Sequence, residues 1–353
     1  MSTGTSIVRY MACRPRRSPR PSLAVLAVLC AAVLLPGCGG DEERLTIYSG
    51  RTSDLVGPLL ERFSEESGIK IDVRYGDSTD LALLIDTEGD ASPADVFFSQ
   101  SAGALGYLAA DDRLTELPDG VLDLVEDRFR SSEGTWVGTS GRVRVLVYNT
   151  DELDESELPA SVFDLTDPAW SGRIGVAPSN ASFQDFVSAM RDKEGDERTT
   201  EWLEGLVANQ ARTYSNNREI VDAVRRGEVQ VGLVNHYYNV RAKAEDPSMP
   251  TDNYFFGNKD LGSLILVAGA AILDTAGDRR ADAEKFLEFL LAEETQRYFA
   301  EETGEYPLAK GVPADDTLPP LDQIEAPEED LSKLGVELEG TKRLIDASGL
   351  SAG

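Results

Sequence analysis

Apolar positions along the chain switch between two periods, and the order of the switches predicts strands separated by helices. Leu45-Thr46-Ile47-Tyr48-Ser49 is a short apolar run closed by Gly50, the pattern of a buried strand. Leu55, Leu59, Leu60 and Phe63 then recur at helical spacing, with Ser53 placed to cap them and Gly68 to end them. Pro58 suits that helix only near its first turn, where a missing amide costs least. A second strand is predicted over 69–75, a helix near 79–87, a strand over 94–99 and a Gly- and Ala-rich helix over 101–109. Strands and helices alternating at this spacing predict a mainly parallel sheet covered on both faces.

Beyond this series the alternation lengthens. Ser140-Gly141-Arg142-Val143-Arg144-Val145-Leu146-Val147-Tyr148-Asn149 reads as one long strand, a natural crossing between two lobes. A second strand-helix series follows: Trp170-Ser171-Gly172-Arg173-Ile174-Gly175-Val176 leads through the polar turn Pro178-Ser179-Asn180-Ala181-Ser182 to a helix with Phe183, Phe186, Val187 and Met190 inward. A helix around Trp202, Leu203 and Leu206 precedes Tyr214-Ser215-Asn216-Asn217. A short helix through Ile220, Val221 and Val224 then delivers the strand Val231-Gly232-Leu233-Val234. The stretch 263–273 is apolar enough to be a central strand returning to the first lobe, and Phe286, Phe289 and Leu290 mark a further amphipathic helix. Residues 313–331 are rich in proline and acid and predict irregular backbone.

Asn235-His236-Tyr237-Tyr238-Asn239 comes directly after the apolar run that ends at Val234. Two phenol oxygens delivered together at the end of a buried strand form a hard, anionic pair, better matched to a hard trivalent cation than to softer metals. Tyrosine is ordinarily a packing residue of intermediate burial, so the pair gains weight only from its surroundings.

The first 38 residues read as an export signal: five arginines (Arg9, Arg14, Arg16, Arg17, Arg20), an apolar stretch from Ser22 to Leu35, then Pro36-Gly37-Cys38. The apolar stretch is shorter than the roughly 20 residues a membrane span requires. Leu35-Pro36-Gly37-Cys38 followed by Gly39-Gly40 resembles a bacterial lipobox, in which Cys38 would carry lipid and become the mature amino terminus. Cys13, Cys30 and Cys38 are the only cysteines, so the exported part carries no disulfide and no thiolate metal site. The chain holds 34 basic against 63 acidic residues, a formal net charge of −29, and the basic leader makes the remainder more acidic still. Such a surface excludes nucleic acid as a partner and repels anionic lipid. With His236 as the single histidine, histidine-rich zinc sites are excluded and a Ser-His-Asp hydrolase could rest on that residue alone.

Five segments, in order and at their spacing, resemble the periplasmic iron(III)-binding proteins, the solute receptors of ferric ABC importers, over essentially the whole exported chain. They are Ile47-Tyr48-Ser49-Gly50-Arg51, Ser92-Pro93-Ala94-Asp95-Val96-Phe97, Ser140-Gly141-Arg142-Val143-Arg144-Val145, Gly227-Glu228 ahead of Tyr237-Tyr238, and Glu305-Tyr306-Pro307-Leu308. The resemblance implies an α/β fold of the type II periplasmic-binding-protein kind, two lobes with mainly parallel sheets flanked by helices and hinge strands between. Residues 1–37 would be the lipoprotein signal, 38–43 the tether, 44–141 with about 264–310 the first lobe, and 142–263 with about 311–353 the second.

The resemblance makes Tyr237 and Tyr238 the iron ligands. Many members place a histidine and a glutamate in the first lobe where this chain has Thr52 and Gln100, and some add a tyrosine where it has Phe183. Two phenolates leave a trivalent ion one positive charge and open coordination positions, so an exogenous anion is expected to complete the site. Members of the family use carbonate or phosphate, held by residues matching Asn180, Ala181, Ser182, Asn217 and Asn235; Arg51 and Arg142 are candidate anchors for it. His236 is a further candidate for the cleft or the metal. The implied partners are an ABC permease and its ATPase subunit, with ferric ion or a ferric chelate as cargo. The protein is expected to be an exported monomer that meets the membrane through its lipid anchor only, and to be no enzyme. Two other readings remain open at this point. One is a receptor of the same fold for polyamine, thiamine or phosphonate, and the other an exported hydrolase, for which no nucleophile motif is evident.

Overall fold

The computed structural model describes residues 44–335 and 338–352; the leader and tether expected over 1–43, Cys38 among them, lie outside the described residues. Ten strands form the sheet framework. They are β1 (Leu45–Ser49), β2 (Ile71–Tyr75), β3 (Val96–Ser99), β4 (Val137–Asn149), β5 (Ile174–Val176), β6 (Arg212–Thr213), β7 (Val231–Asn235), β8 (Thr251–Tyr254), β9 (Ile265–Ile272) and β10 (Tyr306–Pro307). The helices are α1 (Ser53–Ser67), α2 (Ser78–Glu88), α3 (Ala102–Ala110), α4 (Asp119–Leu122), α5 (Ala181–Ala208), α6 (Asn217–Arg225), α7 (His236–Glu245), α8 (Arg280–Leu291), α9 (Glu293–Tyr298) and α10 (Leu338–Ala347).

The strand order β2-β1-β3-β9-β4-β7-β5-β6 divides on β4. Its first half, Val137 to Val143, pairs antiparallel with β9, while Arg144 onward pairs antiparallel with β7 and β8. One strand thus belongs to both lobes, and all 13 of its residues are buried because each half is roofed by its own lobe. Within the lobes β1 runs parallel to β2 and β3, and β5 runs parallel to β6 and β7. The antiparallel ladders gather on β4 and β9, the strands that carry the chain across. Parallel strands need helical crossovers, which places helices over the sheets.

Each lobe has its own aromatic core. In the first, Phe63 of α1 meets Phe286 of α8 with ring centroids 5.0 Å apart. In the second, Phe186 and Trp202 of α5 meet at 5.7 Å, and Phe183 stacks on Trp202 at 6.3 Å. Phe183 is therefore part of this core.

Several local expectations are revised. Thr52, with extended backbone and no side-chain cap bond, is the N-cap of α1, so Pro58 falls beyond the first turn and removes one interior helical hydrogen bond. The two helices expected after Ser182 are one element broken at Gly195, whose φ of 84° only glycine adopts without strain. The tyrosine pair opens α7 rather than ending β7, because Asn235 is the last extended residue before the chain turns helical. The carboxyl-terminal stretch expected in the second lobe touches both: the turn Leu331–Lys333 lies against α3, and α10 lies along α5. There Gly335 approaches so closely that a Cβ would sit 2.1 Å from the Gly103 carbonyl oxygen. Among the described residues no helix is long and apolar enough to cross a membrane.

Candidate metal centre

Alternation along β4 sets Ser140, Arg142 and Arg144 on one face of the crossing strand. All three are buried, as is Arg51 in the loop after β1. Glu305, just after the left-handed Gly304, takes Arg51 in a two-pronged ion pair with N–O distances of 2.8 and 2.5 Å. Ser140 and Thr303 also donate to this carboxylate, at 3.3 and 3.1 Å. Burial pushes the Glu305 carboxyl up, but the Arg51 and Arg142 charges and these hydrogen bonds hold it below the usual range. Arg51 is largely committed: both its terminal nitrogens serve Glu305, and of the anion anchor expected from sequence only its Nε is left, buried without a hydrogen-bond partner among the described residues.

Arg142 and Arg144 differ. Arg142 gives one nitrogen to the Gln100 carbonyl, leaving Nε and Nη1 buried without a hydrogen-bond partner among the described residues. Arg144 donates Nη1 to Asn235 Oδ1 at 3.0 Å and to Asn217 Oδ1 at 3.4 Å, leaving Nε and Nη2 in the same state. Desolvation lowers the pKa of both guanidinium groups, that of Arg144 to about 9 with Arg142 as its nearest like charge. Buried cations in this condition are expensive unless an anion answers them.

Tyr237 and Tyr238 stack with ring centroids 4.3 Å apart at 27°. Tyr237 is fully buried and its hydroxyl has no hydrogen-bond partner among the described residues, while Tyr238 is half-buried. Burial, reinforced by electrostatic coupling to the neighbouring Tyr238 and by the Glu305 charge, drives the Tyr237 phenol well above its ordinary pKa, against the opposing pull of Arg51 and Arg142. Tyr238 also lines a cavity of about 590 Å³ with Thr52 from the first lobe and Arg218 and Arg241 from the second.

The asparagines and Ser182 join this floor. Asn217 Oδ1 accepts the Asn235 amide at 3.0 Å, and Asn235 Nδ2 donates to Ser182 Oγ at 3.1 Å. Gln100 Nε2 reaches the same hydroxyl at 3.5 Å, across the cleft from the first lobe. Asn180 is different, since its side chain caps α5 by accepting the Ser182 amide at 3.1 Å. That amide of the expected anion nest is therefore already occupied, and Ala181 and Ser182 begin the helix behind the cap.

His236 is removed from the ligand candidates by its hydrogen bonds. Its Nδ1 accepts the Val143 amide at 3.1 Å, so the proton resides on Nε2, which donates to the Gly304 carbonyl at 2.9 Å. Burial lowers its pKa to about 4 and keeps the ring neutral. Thr52 is exposed at the rim. Reasoning from sequence overlooked Arg144, Glu305 and Asp185. The period-two alternation that marks Arg142 applies equally to Arg144, and Asp185 stands out as an acid inside the apolar run from Phe183 to Met190. Glu305 has no such local signal, because its partner is distant in the chain. No cluster of three or more His, Cys, Asp or Glu residues suited to a metal occurs among the described residues.

Residues 91–332 match the family model of bacterial extracellular solute-binding proteins. The chain is 33% identical over 87% of its length to a major ferric iron-binding protein of Neisseria meningitidis, covering 93% of that relative. The structure of iron-bound HitA from Pseudomonas aeruginosa superposes with a TM-score of 0.82 at 36% identity, over 87% of this chain and 99% of that one. A Trichodesmium protein in complex with iron and citrate ligands gives 0.75 at 29% identity over 87% and 99%. These relatives bind solutes and do not catalyse reactions, and the solved ones share the two-lobed type II periplasmic fold. The chain belongs to the bacterial extracellular solute-binding proteins, among the relatives of the periplasmic ferric iron-binding proteins.

Proposed function

We propose that this protein captures ferric iron in its cleft, with the phenolates of Tyr237 and Tyr238 as ligands, and hands it to an ABC permease driven by its ATPase subunit. The observation that carries the reading is the buried, unpartnered Tyr237 hydroxyl stacked beside Tyr238 and facing buried cations. A phenol in that position forfeits a hydrogen bond in the metal-free protein and regains a strong partner only when it loses its proton to a hard cation. The iron-binding relatives support the same cargo.

Charge supports an accompanying anion. Arg51 is neutralised by Glu305, but among the described residues Arg142 and Arg144 have no carboxylate within ion-pair distance, and a trivalent ion adds to them. Two phenolates do not balance that sum. Carbonate or phosphate seated on Arg142, Arg144, Asn217, Asn235 and Ser182 would satisfy the free N–H groups and complete the coordination sphere; the carboxylates of a ferric chelate offer the same chemistry. Thr52 and Gln100 stand at the rim and across the cleft as neutral contacts. The lobes proposed to close on the cargo are 44–141 with about 264–310, and 142–263 with about 311–353. Export with a lipid on Cys38 would hold a monomer at the outer face of the cell membrane.

The two buried arginines with unmet N–H groups also favour a second reading, a receptor of this fold for an oxyanion such as a phosphonate. Titration of the purified protein with ferric nitrilotriacetate, with and without carbonate or phosphate, separates the two. Iron capture gives a visible phenolate-to-iron band that requires the anion and vanishes in the Tyr237→Phe, Tyr238→Phe double variant. A colourless protein without iron by elemental analysis, binding phosphonate directly, would establish the second reading instead.

A further inference from the structure

Beyond the cargo site, one buried carboxylate joins the two lobes. Asp185 lies in the second turn of α5, a second-lobe helix, yet its Oδ1 accepts the hydroxyl of Ser101 at 2.6 Å. Ser101 is the N-cap of first-lobe α3 and at the same time accepts the Ala104 amide at 3.0 Å. The Gly103 amide also bonds the carboxylate, and the approach leaves no room for a side chain there: a Cβ on Gly103 would lie 2.5 Å from Asp185 Oδ1. The other oxygen, Oδ2, is buried with no hydrogen-bond partner among the described residues. The contact spans the two lobes. Neighbouring cross-cleft bonds, Thr79 to Gln184 and Gln100 to Ser182, are both 3.5 Å and far weaker.

We propose that Asp185 is a clasp that sets the balance between open and closed cleft: an ionised, half-satisfied carboxylate must be buried on α3 each time the lobes meet. The charges facing it are Arg142 on β4 and Asp77, the residue capping α2, on which Lys342 of α10 acts in turn. Arg142 favours the ionised form and Asp77 opposes it. Desolvation outweighs both and raises the Asp185 pKa to about 6 in the closed form. Exposed in an open cleft it returns to about 4. Closing therefore takes up a proton, and the closed-to-open ratio rises as pH falls through 6. At neutral pH the unpaired charge holds the empty cleft open until cargo compensates the cost of closing. The inference rests on the two-lobed fold and is independent of which cargo the cleft takes.

Small-angle X-ray scattering of the purified metal-free protein tests it. From pH 7.5 to pH 5 the closed-to-open ratio should rise about tenfold, the value from the two pKa positions. Asp185→Asn, uncharged and of the same shape, should be closed at both pH values with the dependence gone. Ser101→Ala, which withdraws the hydroxyl donor, should be more open at both and retain the dependence; it also serves if the asparagine variant folds poorly. A wild type whose scattering ignores pH over this range, or an Asp185→Asn protein that matches wild type or opens, would overturn the clasp. The visible band of the iron-loaded samples is read in parallel, so failure of the iron reading shows separately.

Discussion

Replacing Tyr237 by phenylalanine removes one atom, and the two consequences should point in opposite directions. In the metal-free protein that oxygen is fully buried and has no hydrogen-bond partner among the described residues. A buried hydroxyl without a partner costs about 1–3 kcal/mol of desolvation, and phenylalanine fills the same space without it. The ring contacts with Tyr238 at 4.3 Å and His236 at 5.9 Å survive the change. The metal-free variant should therefore be more stable than wild type by about 1 kcal/mol, near the lower bound because the exchanged surface is otherwise identical. For a chain of this size that corresponds to a rise of about 2 °C in melting temperature. The same variant should lose the visible iron band and the stabilisation that iron confers on wild type. Paired urea titrations in chelator and in ferric nitrilotriacetate read both effects. A metal-free variant destabilised by about 1 kcal/mol or more would refute the reasoning, because it would mean the hydroxyl has a structural partner and the orphan atom is no sign of a ligand.

Two further outcomes follow from the charges around the site. The Tyr237 phenol is held well above its ordinary pKa, so it is protonated in the metal-free protein at physiological pH, and iron must displace its proton. Apparent iron affinity should accordingly drop by about tenfold or more for each unit of acidification, as measured by competition with a chelator of known proton dependence; an affinity flat in pH would remove the Tyr237 phenol as a ligand. Glu305→Ala leaves Arg51 charged, fully buried and without its counter-ion, and should cost about 3–5 kcal/mol in urea at neutral pH. Because the folded Glu305 carboxyl is depressed, its contribution is present above its unfolded pKa and lost as pH falls through the folded value, so the gap between wild type and variant should narrow on acidification below the ordinary glutamate range. A gap that does not narrow would mean that packing, and not charge, is what Glu305 supplies.

Local pattern was enough to place most elements. The apolar runs at Leu45 and Val231, the spacing of Leu55, Leu59 and Phe63, and the alternation from Ser140 were each satisfied by the element they predict, because one buried face leaves one period open to the backbone. Where the reading went astray the cause was a neighbour. Pro58 sits inside α1 because the helix begins at Ser53, with Thr52 rather than Ser53 as its cap. The tyrosines start α7 because the chain turns at Asn235.

The sequence by itself determined that two α/β series are joined by a long crossing strand, and that adjacent phenols follow a buried run. Both are matters of spacing along the chain, where side chains two or three residues apart are already neighbours. Only the tertiary structure decided what each candidate can do. It bound Arg51 to Glu305, whose place in the chain is 254 residues away. It gave His236 two backbone partners, left Arg142, Arg144 and the Tyr237 hydroxyl with unmet hydrogen bonds, and carried Asp185 across the cleft to α3. Such assignments depend on which polar atoms lose water and which distant groups replace it, and burial of that kind exists only once the lobes have come together.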